Sequence, residues 1–281
     1  MKVEHLTINS SAEVGVGLRA QHFKDVKNLS IEDTSPVAWF EVTTENILCS
    51  KGRGRKVVED LRQNFPISLH GVSLSIATVE NLNYDYLEKL KRLIHEVDPF
   101  MVSDHLCWTG TSKNNLHNLL PFPYTFENLE YLANKVSEVQ DFLGREIALE
   151  NLSAYLHFNE NEIDESEFLK LLAKKSGCKI LLDVNNIYVN SKNQNFNPKA
   201  YVDNIPKEAI AEIHLAGFTD MGDYLFDTHS CPVHSDVWQL YKYTLEQKGK
   251  IKTLIEWDED IPKFFDLVEE ASKAYSIMEK L

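Results

Sequence analysis

The strongest constraint on this chain is a supersecondary unit that recurs about eight times. Short apolar, β-branched runs at 14–18, 37–42, 66–70, 100–103, 147–150, 180–184, 211–215 and 253–257 alternate with amphipathic stretches. Such alternation is the pattern of βα units, and about eight of them close a (β/α)8 TIM-type barrel. Several runs, Ile180-Leu181-Leu182 among them, are continuously apolar, as parallel strands buried on both faces require. The intervening segments 56–64, 84–97, 125–143, 165–175, 235–247 and 263–279 carry apolar residues at three- and four-residue spacing and predict helices. Asn83 and Asp164 stand where N-caps belong, Gly144 and Gly177 where C-caps belong, and Ser235 is a further N-cap candidate. The weakest helix falls near 198–205, after a segment 190–198 that reads as an excursion loop. Residues 218–232 make a long polar βα loop, of the kind that is usually functional.

The 281 residues suit one barrel domain, 1–281, and no Pro- or Gly-rich linker divides them. No apolar run approaches the roughly 20 residues that span a bilayer. The N-terminal Met1-Lys2-Val3-Glu4-His5 lacks the basic-then-apolar layout of a signal peptide, so a cytoplasmic protein is expected. A net charge of −14 makes the chain a poor partner for nucleic-acid backbones. Cys49, Cys107, Cys178 and Cys231 are widely spaced with no CxxC pair, so they read as small buried hydrophobes rather than a disulfide framework or a Cys-rich zinc site.

The chemistry lies in what ends each strand. Parallel strands of a barrel deliver their last residues to one mouth. In order, these ends offer Arg19 and His22, then Glu41 followed by Glu45-Asn46, then His70, then Ser103-Asp104-His105. Glu150-Asn151, Asp183 with Asn185-Asn186, Glu212-Ile213-His214 and Glu256-Trp257-Asp258 follow, and the long loop adds Asp227-Thr228-His229. Three histidines and three carboxylates ending strands three to eight crowd too much like charge into one mouth unless cations compensate it. Imidazole and carboxylate without thiolate suit iron, zinc or manganese. The donors exceed the three or four that one ion takes, so two or three ions sharing a carboxylate are expected, with Glu150, midway round the arc, as the bridge. His95, His117, His157 and His234 read as surface residues, and Glu88–Lys91 as a solvated helix face.

As an ordered set, these motifs resemble the multinuclear non-heme iron-dependent oxidative enzymes, long catalogued as a domain of unknown function and including the oxidase of methanobactin biosynthesis. The match runs through Gly15-Val16-Gly17-Leu18-Arg19, Phe40-Glu41-Val42 with Glu45-Asn46, Leu69-His70-Gly71-Val72, Ser103-Asp104-His105-Leu106 and Leu149-Glu150-Asn151. It continues through Leu182-Asp183-Val184-Asn185-Asn186, Ile213-His214-Leu215-Ala216-Gly217, Asp227-Thr228-His229 and Glu256-Trp257-Asp258. It departs at His234-Ser235, where relatives often carry proline after the Pro-Val pair. The resemblance implies a barrel holding two or three iron ions. One would be bound by Glu150, Asp183, His214 and Glu256, a second by His70, His105 and Glu150, and a third by Asn186 (or Asn185), Asp227 and His229. It also implies dioxygen-dependent oxidation of cysteines in a ribosomally made precursor peptide, giving oxazolone–thioamide or related heterocycles, often with a partner protein presenting the peptide. Arg19, Glu41 and Asp104 would orient substrate or tune the ligands. A divalent-metal sugar isomerase or epimerase, a zinc phosphodiesterase and a non-catalytic metal-binding protein are the alternatives. The first would want a lysine or histidine acting on the sugar, and no strand-end lysine is present; the second would want a basic DNA-binding face, and −14 argues against it.

Overall fold

A computed structural model describes residues 14–29, 36–49, 51–111 and 114–281. The N-terminal reading at Met1–His5 lies outside the described residues. Eight parallel strands close into a barrel: β1 (Val14–Gly17), β2 (Val37–Thr43), β3 (Ile67–Gly71), β4 (Met101–His105), β5 (Ala148–Glu150), β6 (Lys179–Asp183), β7 (Ile210–Leu215) and β8 (Thr253–Ile255). Each strand pairs with its sequence neighbours, and β8 returns to β1. The helices are α1 (Thr44–Leu48), α2 (Arg53–Leu61), α3 (Tyr84–Val97), α4 (Phe126–Leu143), α5 (Glu165–Ser176), α6 (Val184–Gln194), α7 (Pro198–Asn204), α8 (Ser235–Lys248) and α9 (Phe264–Met278). Val14, Val16, Phe40, Leu69, Leu149, Leu182, Ile213 and Ile255 on the strands are 0 % exposed, as the continuous apolar runs anticipate. No helix among the described residues is long and apolar enough to cross a membrane.

The predicted helices form with boundaries shifted by at most three residues, and their caps have physical causes. Asn83 accepts from Tyr86 N–H at 3.1 Å, and Gly144 and Gly177 end α4 and α5 with φ of 72° and 74°. Asp164 occupies the N-cap position without a side-chain cap bond. Two expectations are corrected. Residues 190–194 are the last turn and a half of α6, not an excursion loop; the helix stops at Asn195, which adopts the left-handed conformation. The α8 N-cap is His234 rather than Ser235, its Nδ1 facing Asp236 N–H. Among the cysteines, Cys107 and Cys178 are buried as expected, whereas Cys49 is exposed and Cys231 half-buried. His95, His117, His157 and His234 are exposed, as is Glu88–Lys91 apart from Leu90. Two small antiparallel hairpins, Trp108–Gly110 with Asn115–Leu120 and Thr219–Asp220 with Leu225–Phe226, decorate the loops after β4 and β7.

Outside the barrel, Glu165 ties three elements together by accepting from Tyr124 Oη at 2.8 Å and Tyr201 Oη at 3.0 Å. Together with Phe122, Phe158 and Phe196 these groups line a cavity of about 660 Å³ between helices. Burial pushes the Glu165 carboxyl up to about 7, against its two tyrosine donors. The folded chain therefore holds this proton more tightly than the unfolded chain. The resulting stability is full below the ordinary value of 4.5 and is lost as pH rises through about 7. Urea unfolding of Glu165→Gln should accordingly lose about 1 kcal/mol or more of the wild-type pH dependence between about pH 5 and pH 8. A slope identical to wild type would contradict this.

Candidate metal centre

Strand register assembles the mouth. His105 on β4 lies directly beside Glu150 on β5, and Asp183 on β6 beside His214 on β7. Glu150, 1 % exposed, sits between the two halves of the arc. Its Oε2 is 3.1 Å from His70 Nε2 and 3.4 Å from His105 Nε2, and the two imidazole nitrogens are 3.4 Å apart. Donors about 2.1 Å from a tetrahedral ion lie roughly 3.4 Å from one another, so this triangle has the dimensions of one face of such a site. Glu150, Asp183, His214 and Glu256 form a second group, all buried, with their donor atoms within 4.8 Å of one another. The carboxylate shared between the two groups is the one expected to bridge.

The ring nitrogens that face away from the groups are held. His70 Nδ1 meets Ser103 Oγ at 2.8 Å, and His105 Nδ1 meets the Gly71 carbonyl at 3.0 Å. This fixes which nitrogen can ligate, the usual arrangement around metal-bound imidazole. Asp183 divides its carboxylate: Oδ1 caps α6 by accepting from Asn186 N–H at 2.6 Å, and Oδ2 has no hydrogen-bond partner. Asn151 clasps the Asp183 backbone at both N–H and carbonyl, at 2.9 and 3.0 Å.

Neighbouring groups are pushed in opposite directions. Burial would lower His70, but Glu41 and Glu150 raise it to about 10; burial would raise Glu150, but His105, His70 and His214 pull it to about 2. Burial and the Glu150 charge drive Asp183 well above the carboxylate range. Glu150 Oε2, Asp183 Oδ2, Asn185 Oδ1, Asn186 Oδ1 and both Glu212 oxygens are buried without hydrogen-bond partners. Unpaired buried oxygens with imidazole nitrogens around them fit divalent cations and do not fit an apolar or anionic ligand.

The third expected set assembles in altered form. Asp227 and His229 meet, Oδ1 to Nε2, at 2.7 Å. The amide that binds Asp227 is Asn185, whose Nδ2 donates to Oδ1 at 2.7 Å, while Asn186 Nδ2 donates to the Asn151 carbonyl. His229 also turns Nδ1 toward Glu256 at 3.3 Å and Asp258 at 3.4 Å, so His229, Glu256 and Asp258 form a further group of donors. The His229 backbone is held at φ 48°, a left-handed conformation costly for a non-glycine residue, by bonds from its N–H to Gly217 O and from Asp258 N–H to its carbonyl.

The family model described as RiPP precursor modification enzyme MbnB/TglH/ChrH matches residues 13–279. The chain belongs to this family. UPF0276 proteins of Acaryochloris marina and Vibrio parahaemolyticus are similar throughout. The first is 44 % identical over 262 residues, covering 92 % of each chain. The second is 42 % identical over 272 residues, covering 95 % of this chain and 93 % of the relative. Among solved structures, endonuclease IV from Thermus thermophilus has a TM-score of 0.61 at 11 % identity, covering 96 % of this chain and all of its own. A D-psicose 3-epimerase from Clostridium cellulolyticum also has a TM-score of 0.61 at 11 % identity, covering 96 % and 99 %. IOLI protein with a bound zinc atom has a TM-score of 0.60, likewise at 11 % identity and covering 96 % and 99 %. These three likenesses establish the TIM-type fold. The MbnB/TglH/ChrH membership makes the chain a member of an enzyme family that modifies precursor peptides.

Of the three residues expected to orient substrate or tune the ligands in this MbnB/TglH/ChrH family member, Arg19 and Glu41 lie against the candidate donors from within the mouth. Arg19 contacts Asp258, reaches Glu256 Oε1 at 3.7 Å, and is anchored by Thr43 Oγ1 at 2.9 Å and the Trp257 carbonyl at 3.1 Å. Glu41, held by Ser68 Oγ at 2.9 Å, approaches His214 Nε2 to 3.5 Å. Asp104 is placed differently. It alternates with the inward-facing Ser103 and His105, so it faces the helix layer beside Leu90 and Val139 and cannot meet substrate in the mouth. Its carboxylate accepts from Leu74 N–H at 3.1 Å and His105 N–H at 2.8 Å, and Glu45 accepts from Val72 N–H at 3.2 Å, so the two acids pin the loop after β3. A Cβ on Gly71 would strike the Asp104 carboxylate and lie 3.1 Å from Tyr86 Oη. Gly71→Ala should therefore cost about 1–3 kcal/mol in urea unfolding; an unchanged midpoint would show that the loop yields freely.

Sequence reasoning named Glu212 and Asp258 at the strand ends but gave neither a place in an ion set. The signal for Glu212 was its two-residue spacing from His214, which puts both on one face of β7. Asp258 follows strand eight, and only the folded position of His229 shows that it joins the rim.

Proposed function

We propose that this chain is a multinuclear, iron-dependent, dioxygen-using oxidase acting on cysteine residues of a ribosomally synthesised precursor peptide. The observation that carries the reading is the placement of the Glu150 carboxylate between His70 and His105 on one side and Asp183, His214 and Glu256 on the other. His70, His105 and Glu150 would hold one ion, and Glu150, Asp183, His214 and Glu256 a second. Asp227 and His229, with Asn185 or Asn186 and with Glu256 and Asp258 nearby, would hold a third. Iron there would supply a redox-active Lewis acid able to take a peptide thiolate and pass electrons to dioxygen. Zinc or manganese fits the same donors but offers less: zinc has no redox chemistry.

The chain's own residues prepare the site. Ser103, the Gly71 carbonyl and Asn151 fix the donor atoms before anything binds, so no rearrangement is needed at reaction. Asp227 and His229, with side chains 13 % and 10 % exposed, are more open than Glu150 and Asp183, so an entering peptide meets them first. Tyr155, Tyr224 and Phe226 cluster next to Asp227, are 43–45 % exposed, and offer an apolar landing for the peptide or for a protein that presents it. The epimerase and phosphodiesterase alternatives share the barrel at 11 % identity, whereas the peptide-modifying family matches nearly the whole chain.

The test is reaction of the ferrous-loaded protein with a short Cys-containing peptide encoded beside its gene, read by mass spectrometry and an oxygen electrode. Oxygen uptake with a matching mass loss on a cysteine is the expected result. Absence of both, with sugar epimerisation or cleavage of abasic DNA under the same loading, would overturn the reading.

A further inference from the structure

Each rim histidine has two ring nitrogens, and the metal groups use one. His70 and His105 aim Nε2 at Glu150 and rest Nδ1 on Ser103 Oγ and the Gly71 carbonyl. His214 is reversed. Its Nδ1 lies 3.0 Å from Glu256 Oε2, and its Nε2 faces the layer beneath the rim, 3.3 Å from Glu212 Oε1 and 3.5 Å from Glu41 Oε1. Glu41 has a second partner in Ser68, but Glu212 is 0 % exposed and neither of its oxygens has a hydrogen-bond partner. Glu41, Glu212 and His214 also lie close enough together to form a donor group of their own, but none of the three ion sets proposed above includes Glu212.

A neutral imidazole that ligates through Nδ1 must carry its proton on Nε2. His214 is itself 0 % exposed, so that N–H has no water to meet, and the two carboxyl groups are the acceptors within reach. Resting on the metal reading above, we propose that Glu212, with Glu41 beside it, is the positioning group of the centre: it accepts the Nε2–H of His214 and locks the ring in the tautomer that frees Nδ1 for the ion. An ion on Nδ1 makes Nε2–H a stronger donor, so the contact and the metal strengthen each other. His214 and Glu212 are two residues apart on one strand, so β7 alone fixes their relative position.

The test compares wild type with Glu212→Gln, which is near-isosteric and avoids the cavity that Glu212→Ala would leave. Zn(II) affinity is measured by competition with a chromophoric chelator, ligand-field spectra on the Co(II) form, and thermal unfolding with and without zinc. The proposal expects metal at the His214 group to bind about 10- to 100-fold more weakly. It also expects a shifted Co(II) spectrum, and a metal-free protein no less stable than wild type, because the change keeps the side chain's size and leaves a carbonyl oxygen there to accept. Unchanged affinity and spectrum would overturn it. So would equal loss of stability with and without zinc, which would make Glu212 a structural filler. Wild type that binds no zinc would instead remove the metal reading on which the proposal stands, a result distinguishable from both.

Discussion

Glu150→Ala is expected to lose both principal ions at once. Its carboxylate is the donor common to the His70–His105 pair and to the Asp183–His214–Glu256 set, so the change leaves two imidazoles on one side and three donors on the other. Iron measured per chain by plasma emission should fall from two or more to below one. Peptide oxidation should fall by roughly a thousandfold or more, equivalent to about 4 kcal/mol of barrier. His105→Ala supplies the contrast. It spoils one group and leaves Glu150, Asp183, His214 and Glu256 complete, so about one ion per chain should remain. Equal metal loss in the two variants would argue against a shared bridge, and full activity in Glu150→Ala would refute the ligand assignment.

Removing metal should destabilise the whole barrel. The arc concentrates Glu150, Asp183 and Glu256 at 0–6 % exposure, with Glu41 and Glu212 just beneath. Cations that bind the folded rim and not the unfolded chain contribute about 2.7 kcal/mol each at a hundredfold excess over Kd. Two ions would therefore contribute about 5 kcal/mol, which for a chain of this size would raise the melting temperature by roughly 10 °C or more. Scanning calorimetry before and after chelation, and after iron is returned, should show this shift and its recovery. A melting temperature that ignores chelator and iron alike would mean that the buried carboxylates are compensated by protonation instead.

Much of this was legible before the fold was known because two periodicities coincide. Continuously apolar strands and three-four helices specify the barrel, and a barrel brings strand ends together whatever their separation in sequence. His70, His105, Glu150, Asp183, His214 and Glu256 could thus be placed from position alone. Less legible was what depends on which face a residue takes or on how a loop bends. Asp104 sits between two inward-facing neighbours, so the pleat sends it outward although it looks like a site residue in a string. Helix α6 escaped notice because Asn185, Asn186, Asn190 and Asn193 are poor helix formers; Asp183 starts the helix while reserving an oxygen for the rim, and packing against α8 helps hold it. The third donor set depends on His229 in a left-handed turn, which no spacing rule reveals.

The most direct measurement is a crystal structure of the iron-loaded protein with anomalous difference maps on either side of the iron absorption edge. At least two iron peaks should flank the Glu150 carboxylate, one within ligand distance of His70 and His105, the other of Asp183, His214 and Glu256. An ordered mouth without anomalous density there, from crystals soaked in ferrous iron, would contradict this.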